Sequence, residues 1–292
     1  VFLSVVGKTD VSFTIFIFAG QIPSFMNQTY SLFLLLLCTS FYAQTRLLSW
    51  NIENLGRSKS NLELEFIANT VKDYDIVALQ EVVAGEGGAQ TVAQLAAELN
   101  RKGAKWDYTI SNPTSSSAYK TERYAYLWKT SRARLKGKPW LESKFQLEID
   151  REPYLATFVI NQKEVTLVNF HAITKSKQPE KEIKYFKYLP AQYPQLNLLF
   201  LGDFNCPQSH SVFTPLKKMG YDSALKRQKT SLKKACQYNA CLASEFDNFF
   251  YLPSKTKVYQ SGILPFYTAF SSLKDARKIS DHVPIWMVFE LK

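Results

Sequence analysis

The 292-residue chain has only 4 cysteines, 3 histidines and 3 methionines. So few cysteines in so long a chain argue against a disulfide-framework scaffold, and the lack of Cys/His clusters argues against a structural zinc site. With 11 glycines and 12 prolines the chain is neither collagen-like nor of low complexity. No internal repeat, no Gly/Ser-rich linker and no composition break divides it. Nor does any apolar run approach the roughly 20 residues that cross a bilayer, so no stable membrane anchor is expected. What is there is a core-forming composition, 46% hydrophobic and 14% aromatic, which excludes intrinsic disorder. Lys and Arg number 36 against 25 Asp and Glu, a formal charge of +11. Such an excess points to a polyanionic partner: nucleic acid, an anionic membrane surface or a phosphorylated small molecule.

The first 43 residues read as a leader rather than as fold. From Met26 a short polar start (MNQTYS) precedes the apolar run Leu32–Cys38 and a small residue at Ala43, the outline of a secretory signal peptide. Residues 26–43 are therefore expected to be the leader, with 1–25 an over-extended N-terminus and export to the periplasm or the medium. Cys38 also admits a lipoprotein reading, but Leu37 stands where a small residue belongs. The only charges in 1–43 are Lys8 and Asp10, so the 249 residues from 44 onward keep the whole +11. Of the three cysteines left, Cys236 and Cys241 are the first expectation for a disulfide, with Cys206–Cys241 the alternative.

Residues 44–292 read as one α/β domain. Arg46–Asn51, Ile76–Gln80, Tyr124–Trp128, Leu155–Ile160, Val165–Phe170, Asn197–Leu201 and Val283–Leu291 are strand-like runs. Ser60-Asn-Leu-Glu63 predicts a capping box for a helix presenting Leu62, Phe66, Ile67 and Val71. Val92, Leu95, Ala96 and Leu99 predict a second helix that ends before Gly103, and Glu180–Leu189 a third with Ile183 and Phe186 inward. Early β-α-β units followed by hairpins imply mixed sheets covered by helices.

Polar residues recur where these strands end: Asn51, Glu81, His171, Asp203 with Asn205, and Asp281 with His282. One such residue is an ordinary turn former, but strand ends in layered α/β folds converge on one edge. Carboxylates, amides and imidazoles without cysteine suit a hard divalent cation such as Mg²⁺.

In order, WNIEN, LQEV, YKTERYAYLW, DREPYLATF, NFHA, GDFN, EFDNFF and SDHVPI resemble the endonuclease/exonuclease/phosphatase superfamily, and within it the secreted deoxyribonuclease-I-like endonucleases. The resemblance covers essentially all of 44–292. It implies a four-layer sandwich, two packed mixed β-sheets flanked by helices, and hydrolysis of DNA by in-line attack of water with Mg²⁺ or Mn²⁺ bound. Ca²⁺ and RNA stay open as further ligand and substrate, and a monomer is expected. Carried onto this chain, His282 pairs with Asp247 and His171 with Glu122; His282 is assigned as base and His171 as acid, with the reverse open. Glu81 becomes the main metal ligand with Asn51 and Asp281 beside it, and Asp203 and Asn205 orient phosphate or nucleophile. Arg151 and Tyr119 match DNA-contacting residues. Val83 stands where the family carries an Arg that enters the minor groove, and Asn248 where deoxyribonuclease I has Arg. Basic stretches at Lys129–Lys138, Lys175–Lys187 and Lys226–Lys234 offer backbone charge instead. Alternatives are another phosphodiesterase or phosphatase of the superfamily, acting on sphingomyelin or inositol phosphates, and a non-catalytic nucleic-acid binder.

Overall fold

A computed structural model describes residues 44–116, 121–238 and 240–292, so the expected leader and Tyr119 lie outside the described residues. In chain order the strands are Thr45–Leu55 (β1), Ile76–Val83 (β2), Trp106–Ile110 (β3), Glu122–Lys129 (β4), Arg134–Leu141 (β5), Tyr154–Ile160 (β6) and Lys163–His171 (β7). They continue with Leu198–Asp203 (β8), Asp222–Ser223 (β9), Leu232–Gln237 (β10), Ala240–Leu242 (β11), Asp247–Tyr251 (β12), Thr256–Ile263 (β13) and Ile285–Leu291 (β14). Two six-stranded sheets result, ordered β13-β14-β1-β2-β4-β3 and β5-β6-β7-β8-β12-β9. Each holds one parallel pair near its centre, β1 with β2 and β7 with β8, among antiparallel neighbours.

Side-chain alternation along the strands makes the layers. Leu47, Ile76, Ala78 and Tyr126 of the first sheet meet Ala156, Phe158, Leu167 and Leu201 of the second in one buried cluster between the sheets. Their neighbours face outward. Leu48, Trp50, Val77 and Leu79 pack under the helices Asn61–Val71 (α1) and Glu86–Arg101 (α2). Leu155, Val168, Phe170 and Phe200 pack under the segment carrying Ile183, Phe186 and Leu189. The four-layer sandwich expected from the sequence is the observed fold.

Local chemistry accounts for the elements. Ser60 accepts the Glu63 amide while the Glu63 carboxylate accepts the Ser60 amide at 2.7 Å, a complete capping box worth about 1 kcal/mol. The buried face of α1 is Leu64, Ile67, Ala68 and Val71; Leu62 is 79% exposed, so the predicted stripe was one step out of phase at its start. Glu180–Leu189 is not one helix. It divides into a turn of α-helix at Glu180–Ile183, a 3-10 turn at Phe186–Tyr188 and another α turn at Leu189–Gln192. Pro190 has no amide to return to Phe186, and the break still buries Ile183 and Phe186.

A polar tie of side chains crosses the inter-sheet layer. Gln80 Nε2 donates to Asn169 Oδ1 at 2.6 Å and to Ser49 Oγ at 3.0 Å, and Asn169 Nδ2 donates to the Leu79 carbonyl. All three side chains are buried. The tie couples β2 to β7 one residue short of Glu81 and two short of His171, fixing the two sheets' relative height where the strand ends meet.

Candidate active site

Strand direction explains why the site residues meet. Asn51, Glu81, His171 and Asp203 lie toward or at the C-terminal ends of the parallel strands β1, β2, β7 and β8. The antiparallel neighbours offer their beginnings to the same edge: Glu122 opens β4, opposite Val83, and Asp247 opens β12, opposite Asp203. His282 lies just ahead of β14, its carbonyl accepting the buried Trp50 indole N–H at 2.8 Å.

Two imidazole–carboxylate pairs face one another across Asp203. His171 Nδ1 lies 2.9 Å from Glu122 Oε2, and His282 Nδ1 lies 2.7 Å from Asp247 Oδ2. The two Nε2 atoms converge on Asp203 Oδ2, at 3.5 Å from His171 and 3.6 Å from His282. Each carboxylate holds its ring in one orientation and leaves Nε2 for the reacting atoms. Burial alone would push the His171 imidazole down, but the adjacent Glu122 carboxylate outweighs it and raises the value. For His282, burial is likewise overcome by Asp247 and Asp203, which hold it well above 6.5. Burial would raise Asp203, but the two imidazoles and the Asn205 amide, at 2.8 Å, keep it below the usual range.

These directions set a pH dependence of stability. A histidine raised by folding contributes stability fully below its unfolded value of 6.5 and loses that contribution as pH climbs through the folded value. In EDTA, urea midpoints should fall as pH rises above 6.5, a range in which ordinary carboxylates have finished titrating. A flat or rising midpoint would contradict the pairing.

Glu81 owes its position to a break in the sheet. Its backbone is left-handed, φ 57°, where pairing of β2 with β4 shifts register between Leu79 and Val82. A bulge of this kind re-aims a side chain toward a function. Its Oε1 accepts Asn51 Nδ2 at 3.0 Å and lies 3.8 Å from His171 Nε2. Asn51 Nδ2 also reaches Asp203 Oδ2 at 3.2 Å, while Asn51 Oδ1 is buried without a hydrogen-bond partner. An orphaned amide oxygen beside a carboxylate is the donor set of a hard divalent cation, so Glu81 and Asn51 fit one. Asp203, Asp247 and His282 also bring ligand atoms within 4.8 Å of one another. There, however, His282 Nδ1 is already engaged by Asp247 at 2.7 Å.

Several side chains have partners that the motifs do not show. The Asp281 carboxylate pairs with Arg277 at 3.4 Å. Arg151 is buried behind His171, its guanidinium on Glu122 Oε2 at 3.1 Å and on the Ala172 carbonyl, so its immediate partners are the acid that holds the histidine and the chain beyond it. Asn205, left-handed at φ 48°, turns its amide onto the Ala172 carbonyl at 3.1 Å. Asn248 clamps Leu225 through its amide and carbonyl. The sulfurs of Cys236 and Cys241 are 2.00 Å apart, and Cys206 is free and buried.

Two residues at the site were not singled out from the sequence. Thr230 Oγ1 donates to Asp247 Oδ2 at 2.5 Å and accepts the Asp247 amide at 3.0 Å, completing the shell behind His282. Glu53, two residues beyond Asn51 on β1, is raised by burial and by the charges of Asp281 and Glu81, which places a further acid at the cation end. Alternation along β1, setting Glu53 beside Asn51, was the available clue for the second.

The chain is similar to several known proteins. A deoxyribonuclease of Thioalkalivibrio sp. (strain K90mix) is 25% identical over 282 residues, covering 89% of this chain and 74% of its own length. Deoxyribonuclease gamma of Mus musculus is 24% identical over 278 residues, 87% of each chain. A mannosyl-6-phosphatase of Bacteroides thetaiotaomicron superposes with a TM-score of 0.61 at 19% identity, covering 85% of this chain and 99% of that one, and so shares the fold. The profile of the Endonuclease/Exonuclease/phosphatase family matches residues 48–283, which spans every site residue described above, and the chain belongs to that family.

Proposed function

We propose that residues 44–292 are a single catalytic domain, an exported, divalent-metal-dependent endonuclease that hydrolyses DNA with little sequence preference. The observation that carries this reading is the pair of inward-facing Nε2 atoms, each backed by a carboxylate and both within 3.6 Å of one Asp203 oxygen. A scissile phosphate seated between them meets one imidazole on the side of the attacking water and one on the side of the leaving oxygen. His282 Nε2, in the form with a neutral ring, takes the water proton as the new P–O bond forms; His171 Nε2 gives a proton to the departing 3′-oxygen as the old bond breaks. Both imidazoles then exchange protons with solvent. Glu122 and Asp247 stabilise whichever ring is charged, and Asp203 with Asn205 orients the phosphate or the nucleophile. A cation held by Glu81 and Asn51 would supply charge against the developing oxyanion.

Polyanionic DNA suits the charge of the domain, and both curated relatives are named deoxyribonucleases. Export is supported by the expected leader at 26–43 and by the Cys236–Cys241 bond. The test is the purified domain on plasmid DNA, RNA, sphingomyelin and phosphate monoesters with Mg²⁺. Nicking of plasmid that EDTA abolishes and Mg²⁺ restores is expected. Release of phosphocholine or inorganic phosphate with the plasmid intact would replace this reading by a phospholipid or monoester hydrolase, and plasmid cleavage that survives EDTA would remove the metal.

A further inference from the structure

The chain that leaves His171 does not run straight off the site. It is tied back by Glu182, a buried carboxylate that accepts the Ile173 amide at 2.9 Å and the Asp150 amide at 2.6 Å. Those two amides belong to the residue two beyond His171 and to the neighbour of Arg151. The Tyr185 amide donates to the Glu182 carbonyl, so Tyr185 follows one turn, about 5 Å, farther on. There Tyr185, Tyr188 and Phe145 form a cluster, with ring centroids 5.3 Å apart for Phe145–Tyr185, 5.8 Å for Phe145–Tyr188 and 6.3 Å for Tyr185–Tyr188. Each ring has the ammonium of a sequence neighbour over one face: Lys144 at 5.7 Å from the Phe145 centroid, Lys184 at 5.1 Å from that of Tyr185 and Lys187 at 4.9 Å from that of Tyr188. An open cleft of about 350 Å³ lies at this tie, lined by Ile173 and Glu182 together with Glu148, Asp150, Lys177 and Lys181.

Phe145 and Tyr185 are partly spent on packing against the outer core of the second sheet. Tyr188 is not: it is 47% exposed. Flat rings with ammonium groups around them match the two surfaces of a nucleotide, a base face to stack on and a phosphate to neutralise. In a duplex the base faces are covered by one another and only edges and backbone are offered. Unpaired nucleotides offer both.

We propose that Phe145, Tyr185 and Tyr188, with Lys184 and Lys187, form a stacking platform for unpaired nucleotides flanking the scissile phosphate on the His171 side. Single-stranded polynucleotide is then the favoured substrate, reaching the platform along the cleft that begins at Ile173. The proposal rests on the nuclease reading of the two histidine pairs.

The test compares wild type with Tyr188→Ala on a single-stranded oligonucleotide, a blunt duplex of the same sequence and a small chromogenic phosphodiester that fills only the catalytic centre. The expected result is a rise in KM of about tenfold on the single strand, a smaller rise on the duplex, and unchanged turnover of the small diester. Equal changes on both polynucleotides, or none, would overturn it. An independent reading comes from Tyr188→Trp in EDTA, whose fluorescence should be quenched by a single-stranded homopolymer. Quenching by anionic phospholipid vesicles and not by the homopolymer would assign the platform to a membrane and overturn the proposal. If wild type cleaves neither polynucleotide, the nuclease reading fails, and the fluorescence still decides the platform.

Discussion

His282→Ala and His171→Ala should each lower kcat for plasmid nicking by about a thousandfold, within the range set by loss of a positioned acid or base. The double variant should be little worse than either single one. In the proposed mechanism both rings act on one phosphate, and once one is lost the bond-making and bond-breaking steps are no longer matched, so the second has less to contribute. The residual rate reports what positioning and the cation do alone. Stability must be followed in parallel, because removing His282 leaves Asp247 and Asp203 buried close to each other without their shared cation. Addition of the small base imidazole should recover part of the activity of a folded single variant. A single variant that keeps more than a tenth of wild-type activity would remove that histidine from the mechanism. Asp247→Asn is the sharper probe of geometry: an amide can still hydrogen-bond Nδ1 but lets the ring settle in the wrong tautomer, so activity should drop with little loss of fold.

The legibility of this site in the sequence followed its geometry. Residues that reach the centre from the end or beginning of a strand, such as Asn51, Glu81, His171 and Asp203, stand out as polar side chains closing apolar runs, and the fold brings them to one edge. Partners that act through space leave no such mark. Thr230 touches Asp247 from 17 residues away, and Arg151 reaches Glu122, 29 residues earlier. The same distinction holds for the helices. The Ser60–Glu63 box is a local hydrogen-bond exchange and was read correctly, whereas the phase of Leu62 depended on which face the sheet covers. The aromatic segment at 180–189 failed as a helix because Pro190 and the second sheet divide it, leaving Tyr188 outward while Phe186 is buried.

Gly202→Ala should be among the most damaging single substitutions outside the catalytic residues. Gly202 precedes Asp203 on β8 with φ +127°, and a Cβ built there would stand 2.0 Å from the Phe170 carbonyl oxygen. β7 and β8 pair at this point, Phe170 opposite Gly202 and His171 opposite Asp203. Any relief of the clash must push apart the two strands that carry His171 and Asp203. Backbone strain of roughly 1–3 kcal/mol comes first, and opening a buried, fully paired ladder adds to it. We expect a loss of about 4 kcal/mol or more, a large share of the roughly 5–15 kcal/mol that holds a domain together, and a fall in melting temperature of about 10 °C. Gly103→Ala is the control: φ is also positive, +96°, but nothing lies within 4 Å of the added carbon, so only the conformational cost applies. If Gly202→Ala melts as close to wild type as Gly103→Ala does, the close approach of β7 and β8 is not what makes glycine necessary before Asp203. If it melts lower but cleaves at full rate per folded molecule, the spacing of His171 and Asp203 tolerates more than the mechanism allows.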